Sequence, residues 1–116
     1  MSRATWTDVE AEIRRLAETR ETFTTALSPE NRICEYDPLR RLTLQNGRGS
    51  SFVDIDDIRA CWKTFEERGA IRRQDVLEPG RCSAFVMALF ARIPGVGIEE
   101  RRNEPWLVLP AQTTRR

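Results

Sequence analysis

The chain has no histidine, a single lysine and only three cysteines in 116 residues. Without histidine, the commonest general base and the commonest nitrogen ligand for a transition metal are both missing. Cys34, Cys61 and Cys82 are odd in number and show no CxxC spacing. They fit neither a disulfide framework nor a closed zinc site, because three thiolates rarely complete a tetrahedron. They read as reduced, mostly buried thiols of a cytoplasmic protein. No apolar run follows Met1, and no stretch approaches the ~18 consecutive apolar residues of a membrane span. Neither a signal peptide nor a membrane contact is expected. A dominant charge is lacking too. The net charge is +1, so no global field points to nucleic acid or to an anionic membrane.

What the chain does have is arginine. Eighteen of its nineteen basic residues are Arg, with Lys63 the exception. Codon usage accounts for such a bias; a need for planar, bidentate donors to phosphate or carboxylate does so as well. The charge is uneven. Residues 1–68 carry eleven basic and thirteen acidic groups, or −2; residues 69–116 carry eight and five, or +3. Apolar content is 40% and charged content 32%, as in a globular protein with a wet surface. A chain of this size buries roughly two-thirds of its unfolded surface, enough for one core.

Local patterns place the elements. Thr7 and Glu10 have the spacing of a capping box, and Val9, Ile13 and Leu16 follow as one apolar stripe. A helix of about four turns is expected there. Glu21 to Leu27 alternates and is rich in threonine, which predicts a short strand. Ile33 to Tyr36 and Arg40 to Leu44 predict two more, joined at Asp37-Pro38. Asn46-Gly47-Arg48-Gly49-Ser50 is the strongest turn signal, and Ser51 to Val53 should pair back after it. Asp54 should cap the best helix, with Ile55, Ile58, Trp62 and Phe65 on its inner face and Gly69 closing it. Arg72 to Leu77 reads as a short helix ended by Glu78-Pro79-Gly80. Ser83 should cap the next, from Ala84 to Ile93, stopped by Pro94-Gly95. Val96 to Arg101 and Trp106 to Leu109 read as a hairpin around Asn103-Glu104-Pro105.

The expected architecture is one α+β domain over residues 1–116: a helix and small antiparallel sheet (1–53), a helical unit with a C-terminal β-hairpin (54–110), and a frayed tail (111–116). The expected core comprises Ile13, Leu16, Ile33, Leu42, Leu44, Ile58, Trp62, Phe65, Leu77, Phe85, Leu89 and Ile93. From Asp54 the order helix, short helix, helix, hairpin resembles the winged-helix fold, a helix-turn-helix followed by a hairpin wing. The stretch IRRQDVLEPGRCSAFVMALFARIPGV, from Ile71 to Val96, also resembles the ends of small bacterial domains attached to restriction and phage-defence proteins. The winged-helix resemblance implies a third helix in the major groove and a wing on phosphate or the minor groove.

Carried onto this sequence, that resemblance implies DNA contacts from the Ser83 to Arg92 helix and the Glu99 to Glu104 tip; with the arginine pairs as phosphate donors, the expected contacts are Arg72, Arg73, Arg81, Ser83, Arg92, Arg101 and Arg102. Arg115 and Arg116 could line the same side. The helix from Ser83 departs from a base reader, because its body lacks the Arg, Asn, Gln or Lys that meet base edges. Phe85, Val86, Leu89 and Ile93 make one apolar face; Ser83, Met87, Phe90 and Ala91 make the opposite one. The second face is either packed inside the protein or offered to a protein partner through Met87 and Phe90. Trp106 either stacks on a base or seals the hydrophobic edge. Catalysis is not expected. Asp54, Asp56 and Asp57 are explained by a helix N-terminus, Gly47-Arg48-Gly49 lacks the residues of a phosphate loop, and Cys82 beside Arg81 is the one reactive-thiol candidate. The expected function is therefore a non-catalytic DNA-binding module of regulatory or phage-defence type, without cofactor or metal. The alternative is a protein-interaction domain, such as a homodimer, adaptor or inhibitor.

Overall fold

The computed structural model describes residues 4–25, 30–47, 49–76 and 83–109, with only the backbone of Ser83 included. It is an α+β fold. Helix α1 (Trp6–Thr19) precedes a meander of β1 (Arg32–Tyr36), β2 (Arg41–Asn46) and β3 (Gly49–Asp54). Helix α2 (Ile55–Arg68) leads to the two-residue strand β4 (Ala70–Ile71) and a 3-10 turn (Arg73–Asp75). Helix α3 (Ser83–Ala91) and the hairpin β5 (Gly97–Arg101) and β6 (Glu104–Val108) follow. Each sheet has three strands, ordered β1-β2-β3 and β4-β6-β5, and all pairs are antiparallel.

Helix α1 starts one position after Thr5, two residues earlier than the Thr7 cap expected from sequence. The cap partner is Asp8, whose carboxylate accepts from the Thr5 backbone N–H (2.8 Å) and hydroxyl (3.2 Å). An aspartate serves as well as the glutamate of the usual box, because it also satisfies an orphan N–H. Val9, Ile13 and Leu16 are buried as expected. Asp54 precedes α2, and Gly69 closes it at φ 77°, where a side chain would be strained.

Three other expectations change. The strand from Glu21 to Leu27 is, among the described residues, a single bridge between Phe23 and Asn31. Asn31 is buried, and its amide donates to the Phe23 carbonyl (3.1 Å) and accepts from the Asn46 amide (3.2 Å). The side chain thus holds locally what a longer ladder would hold. The short helix expected from Arg72 is, among the described residues, one 3-10 turn, and the preceding Ala70 and Ile71 pair with β6. The hairpin turns at Arg102-Asn103, not at Asn103-Glu104-Pro105. Both turn residues take positive φ, 53° and 65°, the type I′ geometry whose twist matches paired strands. Pro105 then lies within β6. Leu77, Cys82 and the tail from residue 111 lie outside the described residues.

One core joins all the layers. Ile13, Leu16, Ile33, Leu42, Leu44, Ile58, Trp62, Phe65, Phe85, Leu89 and Ile93 are buried in a single cluster, so every described member of the expected core is in place. At its centre Trp62 meets Phe65 and Phe90 edge-on, with centroids 5.3 and 5.0 Å away, and Phe65 stacks on Phe90 at 6.1 Å. Such geometry matches the ring quadrupoles. Phe23 adds a tilted contact to Phe85 at 5.8 Å.

Candidate functional site on the second sheet

The two faces of the second sheet differ. Hairpin register puts Leu107 beside Ile71, and both are buried. Trp106, Glu104, Glu99 and Arg101 share the other, open face. Trp106 is half-buried there, and two guanidinium groups stack against its ring. Arg101, from β5, lies 5.0 Å from the ring centroid, and Arg72, just after β4, lies 5.3 Å away. Both are within the range of a cation–π contact.

Carboxylates hold the two arginines. Arg72 donates to Glu104 at 3.3 Å, and its backbone N–H donates to Asp75 at 3.1 Å. Arg101 donates to Glu99 at 2.8 Å. Each guanidinium has five N–H donors, so one ion pair leaves further donors unused by that carboxylate. The Arg72 Nε is buried without a hydrogen-bond partner among the described residues. Arg102 stands exposed at the tip. The cluster offers a flat aromatic-cationic stack with a charged tip. Two of its cations are paired locally, Arg72 with Glu104 and Arg101 with Glu99.

The structure gathers some of the expected site residues and separates others. Arg72, Arg101 and Arg102 belong to this face and its tip, and Arg73 follows in the 3-10 turn, half-buried. Arg92 is elsewhere. It follows α3 and donates to Glu12 and Glu21, each at 2.8 Å. Arg15 donates to the same two carboxylates. These contacts hold both glutamates below the usual carboxylate range. The Arg15 hydrogen bond dominates in each case, burial opposes, and Arg92 adds to the lowering. Arg81 and the Ser83 side chain lie outside the described residues.

The partner-binding face expected at Met87 and Phe90 is corrected. Phe90 is 0% exposed and belongs to the central aromatic cluster, while Met87 is half-buried against the same core. The helix is apolar on both sides because α1, α2 and the hairpin enclose it. That enclosure also keeps its body from a DNA groove in this conformation.

Sequence reasoning left Trp106 unresolved and missed Glu104. Only the tighter two-residue turn at Arg102-Asn103 pairs Trp106 with Glu99 and sets Arg101 opposite Glu104 on the same face. It also missed the first sheet's open face, where Arg41 lies 4.0 Å over the Phe52 ring. A polar cleft of about 430 Å³, lined by Glu35, Tyr36, Asp37, Arg40, Arg41 and Thr43, opens nearby. Elsewhere, burial and then the Asp57 charge push the Cys61 thiol up to about 11, so it stays protonated near neutrality and is a poor nucleophile. Among the described residues, no three His, Cys, Asp or Glu side chains converge as metal ligands, and no helix is long and apolar enough to cross a membrane. Comparison with protein-family models, curated proteins and solved structures finds no match.

Proposed function

We propose that the chain is a non-catalytic binding module that holds nucleic acid against the second sheet and its hairpin tip. The observation that carries this reading is the convergence of Arg72 and Arg101 on the Trp106 ring. An indole can stack on a base or sugar, while the remaining guanidinium N–H groups and Arg102 meet phosphate. Element order supports the same reading: α2, β4, a 3-10 turn, α3 and a hairpin whose inner strand pairs with β4 resemble a winged helix. In this proposal the wing makes the contact and α3 serves as core. Contacts through backbone and stacking give affinity with little base readout.

The test is a fluorescence-anisotropy titration against random duplex and single strands at two salt concentrations. Neutralising about three phosphates predicts a log–log salt slope of about −2 to −3. Trp106→Ala should weaken binding. No binding to either form at low salt would sink the proposal.

A second reading is favoured by one observation on the opposite face. Ile98 is 65% exposed, and Pro105 is exposed nearby on the same face of the hairpin. With Glu99 and Glu100 in the same strand, this edge suits a protein better than phosphate. Ile98→Lys should then abolish capture of a protein partner and leave nucleic-acid affinity unchanged or raised.

A further inference from the structure

Among the described residues, strand β3 is a sheet edge with little of the usual protection. From Gly49 to Val53 it has no charge, no proline and no bulge, and its one charge, Asp54, stands at the end where α2 begins. Natural edges are normally blunted by one of these, because unpaired N–H and C=O groups recruit another strand. Gly49, Ser50, Ser51 and Phe52 are exposed, Phe52 to 57%. The other sheet shows the contrast: its edge strand β5 carries Glu99, Glu100 and Arg101.

The hydrogen-bond phase of this edge follows from its intramolecular pairing. Ile55 donates its N–H to the carbonyl of Arg40 at 2.9 Å, one residue beyond the Arg41–Asp54 pair. Directly opposed residues that exchange bonds alternate with residues that do not. Val53, Ser51 and Gly49 therefore bond inward to β2. Ser50 and Phe52 point their N–H and C=O groups outward.

We infer that β3 pairs antiparallel with β3 of a second copy of this chain, about a two-fold axis at Ser51. That register places Ser50 opposite Phe52 of the second copy, and the reverse, so the outward groups exchange bonds. Ser51 faces itself as a non-bonded pair. The same register opposes Phe52 to Ser50 and Val53 to Gly49, a large side chain to a small one each time. Hydrogen-bond phase and side-chain size thus select one alignment. The product is a continuous six-stranded sheet. An isologous contact of this kind closes after two copies and does not propagate. It is independent of the proposed nucleic-acid face, which lies on the other sheet.

Sedimentation velocity or light scattering over a dilution series tests it. The full chain should reach twice its 13.4 kDa mass with a concentration-dependent equilibrium. Ser51→Lys and Ser51→Glu put like charges face to face, so each variant alone should be monomeric with wild-type circular dichroism. Mixing the two should restore the dimer, since the charges are then opposite. Phe52→Pro removes an outward N–H without touching the β2 ladder and should weaken association at least tenfold. A wild type that stays monomeric at every concentration overturns the inference. So does a dimer that survives in either charged variant, or a mixture that stays monomeric.

Discussion

Arg92 and Glu12 stand eighty residues apart in the chain, yet the guanidinium Nε of one lies 2.8 Å from the carboxylate of the other. The pair ties the end of α3 to α1, and Glu21 and Arg15 extend it to a four-membered network. Arg92→Ala should lower unfolding free energy by about 1 kcal/mol, the scale of a partly exposed, well-aligned pair. In the double variant with Glu12→Gln, the losses should sum to less than the single effects, because both remove the same contact. Urea denaturation measures each. Nucleic-acid affinity should not change with Arg92→Ala if the second sheet is the contact surface.

The same network sets a pH dependence. Glu12 and Glu21 titrate below their ordinary value in the folded chain. A lowered carboxylate contributes stability that is fully present above its unfolded value, roughly 4.3, and is lost as pH falls through the folded value. The urea midpoint should therefore hold between neutrality and about pH 5 and drop on further acidification. Arg15→Ala should flatten that drop more than Arg92→Ala, since the Arg15 hydrogen bond is the larger cause in both glutamates. An equal slope in all three proteins would refute the assignment.

Phe90 should behave as core. Phe90→Ala and Trp62→Ala should each cost roughly 3–5 kcal/mol, because each removes a ring from the central cluster. Phe90→Glu should unfold the domain, as a buried, unpaired carboxylate is too costly to keep. Thermal melts followed by circular dichroism decide this. A Phe90→Glu chain that melts like wild type would return the ring to the surface.

The sequence disclosed elements whose signals are local. Ile55, Ile58, Trp62 and Phe65 recur at helical spacing between Asp54 and Gly69, and that helix formed as read. The Asn46-Gly47 turn likewise fixed the β2–β3 hairpin. Strand β4 was hidden because two residues carry no period; only its partner β6 makes Ala70 and Ile71 a strand. Helix α3 was ambiguous because an all-round apolar helix does not say which of its faces is covered. The site was half legible. The arginines could be named, but which of them meet Trp106 depends on the register that the turn sets, and Arg92 was lost to carboxylates more than seventy positions away.

Cys61 should resist labelling. Its thiol is buried and titrates at about 11, so a thiol reagent at pH 8 should modify it no faster than the domain unfolds. Peptide mapping of the labelled protein against time reads this directly. Rapid labelling of Cys61 in the native chain would show that α2 opens locally.

The contact between α1 and α3 also imposes an order on synthesis. The apolar stripe of Val9, Ile13 and Leu16 leaves the ribosome while the helix that completes its cover is still some seventy residues from being translated. At roughly 5–20 residues per second, the nascent chain carries an incompletely covered, adhesive surface for several seconds. The N-terminal segment is thus a waiting client for whatever shields emerging chains.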